Sequence, residues 1–314
     1  MFQLIVRRVL GVVPVLLVVS FLVFSLMQLV PGDPAVVAAG DNASRELIEQ
    51  TRERLGLDQP FFAQYWSWLR NVVTGDLGTS LFSNQPAWHS IAARIPVTAS
   101  LTALSLFWAV LIGLILGIVA GMRQGSWIDR LTTGLATLGI SMPSFWVGLL
   151  LVSLFSLQNP FFPATGYVPL TEDAGAWFSH LFLPSIALGT ATAAEIARQA
   201  RAGVIQVMEQ DYIRTAESKG LSPRVVVGKH VLKNAAIPVV TVLGLQAAHL
   251  IGGAIVVEQV FGIPGLGTLA LNAIIQRDYP LIQAFVVVIA VFVLAINLLV
   301  DLSYGFFNPR VRQA

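Results

Sequence analysis

The chain has 314 residues, 55% of them hydrophobic and only 11% charged, with 19 basic and 17 acidic side chains and a mean hydropathy of +0.75. A soluble domain carries about a quarter charged residues to meet water across its surface, so this composition excludes a water-exposed globule, a disordered chain and a coiled coil. The absence of cysteine excludes thiolate metal sites, cysteine nucleophiles and disulfides.

A helix needs about 20 mostly apolar residues to cross about 30 Å of hydrocarbon, and six stretches approach that length. The first, Val9 to Val30, follows Arg7 and Arg8. Its apolar part is too long for a signal peptide and no small-residue cleavage site follows, so it reads as a retained helix. The segment from Pro31 to Arg94 is too long for a simple connection and reads as a small helical cap. Within it, Ser44 to Leu55 forms a charged helix stopped by Gly56, and Asp58 and Pro60 open another over Phe61 to Leu69. The aromatic run of that second helix is read as an interfacial belt in preference to a surface that grips a partner protein.

The second span, Ile95 to Met122, lies cleanly between Arg94 and Arg123. The third runs from about Leu131 to Leu157 with Pro143 in its first half. The fourth, from Leu181, stays uncharged only to Ala194 before Glu195 and Arg198, which is short for a bilayer. Next comes a basic inner segment, 198–236. Good helix formers from Asp211 to Lys219 end at Gly220, a left-handed stop. Ser222 then suits an N-cap with Pro223 at the first helical position. This predicts a sharp corner between two short helices outside the membrane, a device a bare tether does not need. The fifth span is Ile237 to Val257 and the sixth Leu281 to Leu299.

Of the 19 basic residues, 13 fall on the side that holds both termini, the 123–130 turn and the 198–236 segment, and 11 of the 17 acids fall on the other. The positive-inside rule makes the first side cytoplasmic. Small residues recur every fourth position at Gly113, Gly117 and Gly121, at Gly189, Ala193 and Ala197, and at Gly244, Ala248 and Gly252. These faces read as seams where helix backbones approach closely.

No catalytic constellation is present. The four histidines have no partner at metal-ligand spacing, and there is no zinc-protease motif, no nucleophile elbow and no P-loop. Ionisable and amide groups within or beside the spans remain: the Glu195–Arg198 pair, Gln246 and His249 in the fifth, and Asn297 and Asp301 in the sixth. Gln246, His249 and Asn297 are candidates for a translocation path. Burial with a hydrogen bond is the alternative for His249, and helix pairing is the alternative for Glu195.

Pro31-Gly32-Asp33-Pro34, Gly75-Asp76-Leu77-Gly78, Ser141-Met142-Pro143-Ser144-Phe145-Trp146, and the run from Tyr212 to Leu221 continued by His230, Leu232, Asn234 and Pro238 together resemble one family along the whole chain. That family is the B-type permease subunits of dipeptide, oligopeptide and nickel ATP-binding-cassette (ABC) importers. In the wider family the inner loop reads Glu-Ala-Ala, three residues, Gly, then Ile-x-Leu-Pro after nine more. Ala216, Gly220 and Leu232 keep that pattern, while Arg214, Thr215, His230 and Lys233 depart from it in a way common in the peptide branch.

The resemblance implies an all-α integral membrane protein of the type I importer architecture, with six transmembrane helices and a helical extracytoplasmic segment between the first two. Residues 1–94 would form the first helix and that segment, and 95–314 the permease core. It further implies a multi-pass protein of the bacterial inner membrane surrounded by lipid, with no nucleic acid partner. A second permease, two cytoplasmic ATPases that hold ATP and Mg, an extracytoplasmic binding protein and a peptide substrate would be its partners. No cofactor or metal would bind this chain. Tyr212, Arg214, Thr215, Ala216, Glu217, Lys219, Gly220, Leu221, His230 and Asn234 would form the ATPase-coupling loop. Nickel or glutathione is the alternative cargo within the family. An ion-coupled secondary transporter is the rival from another class, against which the lack of a clear internal repeat and of a second broken helix argues.

Overall fold

In the computed structural model, residues 2–29, 32–40, 43–222 and 225–307 are described, with the side chains of 2–10, 217, 233–234, 236–241, 247–248 and 299–307 excepted. Among these residues the structure is helical, apart from one isolated bridge between Thr79 and Pro86. Two compact units emerge: Met1–Pro96 with Gly265–Ala295, and Val97–Pro264 with Ile296–Ala314.

The first unit begins with α1 (Phe2–Leu29), α2 (Pro34–Ala39), α3 (Arg45–Arg54) and α4 (Phe61–Val73). Asp33 caps α2 through Ala35 N and also pairs with Arg52 at 2.5 Å, which binds α3 to α2. The Asp33 carboxylate raises the Arg52 guanidinium above its ordinary value, mainly by Coulomb attraction and then by this hydrogen bond. Ser44 caps α3 through Leu47 N, and Gly56 ends it at φ +67° with Leu57 N bonded to Arg52 O. Both ends fall where the sequence reading put them.

The aromatic run of α4 divides by helical register. Phe61, Tyr65 and Trp68 pack against Phe21 and Phe24 of α1, and the Tyr65 hydroxyl lies 3.0 Å from Ser20 Oγ. Phe62 and Trp66, next to them in sequence but on another face, are 72% and 69% exposed. Three of the five aromatics are therefore spent on α1, and the other two are left exposed. The unit is completed by α5 (Ala87–Ala92), α12 (Leu266–Gln276) and the start of α13 (Tyr279–Phe307), joined in one apolar cluster that includes Ile91, Leu269, Leu281 and Val288. Asp278, buried before α13, accepts from Ser80 Oγ at 2.5 Å and from Leu81 N at 3.2 Å, fastening the 76–81 turn to that helix.

The second unit contains α6 (Ile95–Met122), α7 (Trp127–Ser141), α8 (Ser144–Val152), α9 (Ala174–Met208), α10 (Asp211–Ser218) and α11 (Leu232–Val260). The third span carries Pro143 within its apolar run and is broken there. It breaks by 104° between α7 and α8 and ends in a π-helical turn, Ser153–Gln158. Proline forces the residue before it into extended backbone; Met142 sits at φ −82°, ψ 127°, and α8 begins anew from the Pro143 carbonyl.

The fourth span lies inside α9, a continuous helix of 35 residues. At 1.5 Å per residue this is about 52 Å, longer than the hydrocarbon, so the charged half after Ala194 extends past it. Helix α9 packs against α7, α8 and α11, and many of its small residues are buried. That explains its modest apolar content: protein, rather than lipid, covers it. By length and composition alone Gly11–Leu29, Ala87–Met122 and Tyr279–Leu298 qualify as spans, with the bent pair as a fourth.

Two of the three seams close as the four-residue spacing predicts. A Cβ on Gly113 would fall 2.6 Å from Ala193 O, one on Gly121 2.8 Å from Val204, and one on Gly189 2.7 Å from Ser105 O, so α6 and α9 meet backbone to backbone. The third stays open at Gly252, while Gly244 is buried and the Ala248 side chain lies outside the described residues. A Cβ on Gly252 would meet nothing within 4 Å, and its neighbour Gly253 faces Leu188 instead.

Candidate functional site

The basic 198–236 segment has a simple local logic. In α10, Ile213 and Ala216 are buried while Tyr212, Arg214, Thr215 and Lys219 are exposed, because positions three apart share a face. The buried pair joins Val204 and Val207 of α9, Val226 and Val231, and Ala235 of α11 in one apolar cluster. Gly220 follows at φ +79°, and Leu221 N bonds back to Ala216 O at 3.3 Å. This is the left-handed stop anticipated from sequence.

The stretch after Ser222 lies partly outside the described residues. Val225 is helical, and a π-helical turn, Val226–Val231, then runs into α11. Pro223 lies outside the described residues, while the Ser222 carbonyl accepts from Val225 N and Val226 N.

The structure sorts the expected loop residues into two groups. Tyr212, Arg214, Thr215, Lys219, Gly220 and Leu221 are exposed. Ala216 is buried against its own chain, and His230 is half-buried in the π turn. The side chains of Glu217 and Asn234 lie outside the described residues. Arg214 approaches Asp211 at 3.8 Å within α10, a loose surface pair.

The path candidates are scattered. Gln246 is half-buried and its Oε1 accepts from Thr192 Oγ1 of α9 at 3.4 Å, whereas His249 and Asn297 are exposed. Glu195 pairs with Arg198 at 2.6 Å and with Gln199 at 3.1 Å, the helix-pairing alternative. Among the described residues no group of three histidine or carboxylate side chains is arranged to hold a metal ion.

Asp129 and Glu258, buried like Asp278, also escaped the sequence reading. Asp129 takes both Arg201 Nε at 2.5 Å and Nη2 at 2.9 Å, and also Gly125 N at 2.9 Å, so the turn before α7 is clamped to the protruding end of α9. Glu258, fully buried near the end of α11, accepts from Thr98 Oγ1 of α6 at 2.5 Å. Only Asp129 left a local trace in sequence: it stands three residues after Ser126, whose hydroxyl accepts its N–H, in capping-box spacing.

The chain matches two family descriptions: binding-protein-dependent transport system inner membrane component over residues 113–313, and its N-terminal counterpart over residues 1–102. It is 45% identical over 312 residues to the glutathione transport system permease protein GsiC of Escherichia coli O6:H1, with 99% of each chain covered. It is equally 45% identical, over the same 99% of both chains, to a putative peptide transport system permease protein of Brucella abortus. Among solved structures it is similar to the inward-facing MetNI methionine ABC transporter, with a TM-score of 0.57 at 16% identity, covering 69% of this chain and 96% of that one. The likeness to that structure shows the fold: an all-α permease of the type I importer kind.

Proposed function

The chain belongs to the family of binding-protein-dependent transport system inner membrane components, and on that premise we propose that it imports short peptides, with glutathione as the alternative cargo. It is a multi-pass permease subunit of an ABC importer of the inner membrane, and separate ATPase subunits hydrolyse the ATP. Substrate-binding and ATPase partners follow from the family. The finer assembly we propose is a second permease of the same kind, two ATPases holding ATP and Mg, and an extracytoplasmic binding protein. Both termini face the cytoplasm in this reading, as the distribution of basic residues favours. Residues 95–314 act as the transport core and 1–94 as its outer extension.

One observation carries the coupling reading: α10 exposes Tyr212, Thr215 and Lys219 while Ile213 and Ala216 hold it to α9 and α11. The exposed face suits insertion into a groove on an ATPase. Force on α10 would pass through the apolar cluster into α9, and from α9 across the closed seam into α6. Rigid packing of this kind transmits displacement rather than absorbing it. The Asp129–Arg201 clamp adds a second rigid link at the same end of α9. His249 and Asn297 remain the proposed path residues, and Gln246 contributes with one lone pair already turned to Thr192.

Single cysteines test this in a naturally cysteine-free chain. In the assembled complex Lys219→Cys is expected to cross-link to the ATPase and Ala216→Cys is not. Labelling of Ala216→Cys alone, or of neither, would contradict the docking face. Competition among tri-alanine, glutathione and Ni2+ for ATP-driven uptake separates the cargo readings.

A further inference from the structure

The first unit encloses a cavity of about 690 Å³, within the size range of small-molecule sites. Its walls come from the end of α1, from α3, α4 and the 76–81 turn, and from the start of α13. We infer that this cavity binds a short zwitterionic peptide on the permease itself, on the outer side of the membrane. The inference rests on the peptide-import reading and adds a site to it.

Three features point to that ligand. The first is Tyr279, which lines the cavity, is 6% exposed, and carries a buried hydroxyl with no hydrogen-bond partner among the described residues. A buried hydroxyl left unpaired is costly, and such groups ordinarily meet water or a ligand. The second is amide chemistry: Asn71 and Gln283 line the same space, and their side chains make no hydrogen bond among the described residues. An amide both donates and accepts, as a peptide backbone requires.

The third feature is charge of both signs. Glu53, Arg54 and Asp76 line the cavity, all three are exposed, and neither Glu53 nor Arg54 is in an ion pair among the described residues. An ammonium and a carboxylate on one small molecule match carboxylates and a guanidinium lining one cavity. A loop of a docking protein would bring amides without free termini, so the mixed charge favours the free peptide. Trp68 of α4 also lines the cavity and supplies an apolar wall.

The test uses the complete complex with its ATPases in lipid nanodiscs, without the binding protein, and tri-alanine as the probe. Saturable binding is expected, with N-acetyl-tri-alanine amide at least about tenfold weaker. Tyr279→Phe, which keeps the ring, and Arg54→Gln are each expected to weaken tri-alanine binding by about tenfold, the scale of one lost hydrogen bond or charge-assisted contact. Ser67→Trp, which fills the cavity from α4, is expected to abolish it.

Absence of saturable binding in a complex that still imports tri-alanine with ATP and binding protein would overturn this inference alone. So would binding indifferent to all three variants, or binding seen only when the binding protein is added. A complex that imports no peptide under any condition would overturn the import reading and this site with it.

Discussion

At Gly220 the backbone turns at φ +79°, and a Cβ added there would touch nothing within 4 Å. Any effect of substitution is therefore a backbone effect, without a steric clash to confuse it. A β-branched residue in left-handed backbone costs about 1–2 kcal/mol, enough to unwind the corner or swing α10. Gly220→Val is expected to lower ATP-driven uptake about tenfold or more while leaving the amount of protein in the membrane unchanged. Uptake at the unaltered rate would remove the corner from the coupling mechanism. This residue was legible in sequence because a glycine after a run of helix formers has one common use. The Asp129–Arg201 and Thr98–Glu258 contacts were not, since they join residues 72 and 160 positions apart and no local pattern announces such a pairing.

Among the elements, the α6–α9 contact is legible in the four-residue spacing of small side chains on both helices. The same spacing could not say that the third such face, on α11, stays open at Gly252. Spacing reveals that a close approach is possible; only the partner helix decides whether it happens. The central position of Gly117 makes the seam testable, because a Cβ there would fall 2.7 Å from that of Ala200. Gly117→Val is expected to destabilise the helix pair by about 1–3 kcal/mol, read as a lower melting temperature of the complex in detergent. An unchanged melting temperature would mean the two helices part without cost. Pro143 stands in plain view within the apolar run of the third span and breaks it by 104°. Length misled elsewhere. The fourth read as short because hydropathy measures exposure to lipid, and α9 is wrapped in protein. The aromatics of α4 read as one belt because the run is continuous, although helical register gives three of the five to α1.

For the whole molecule, composition alone gave the membrane, the distribution of basic residues gave an orientation, and the absence of a P-loop sent ATP hydrolysis elsewhere. Homology over 99% of the chain to importer permeases agrees with that division of labour. An apolar chain whose described buried carboxylates are engaged by Arg201, Thr98 and Ser80 offers little for a proton- or sodium-coupled cycle, and an external energy source suits it better. The central claim is that this chain moves peptide only when partner ATPases drive it. The direct measurement is tri-alanine uptake into proteoliposomes, comparing the tagged chain alone with the complex that co-purifies with it. The account predicts uptake that requires ATP, the ATPases and the binding protein, and that is indifferent to an imposed proton or sodium gradient. Uptake by the chain alone, driven by an ion gradient without ATP, would contradict it.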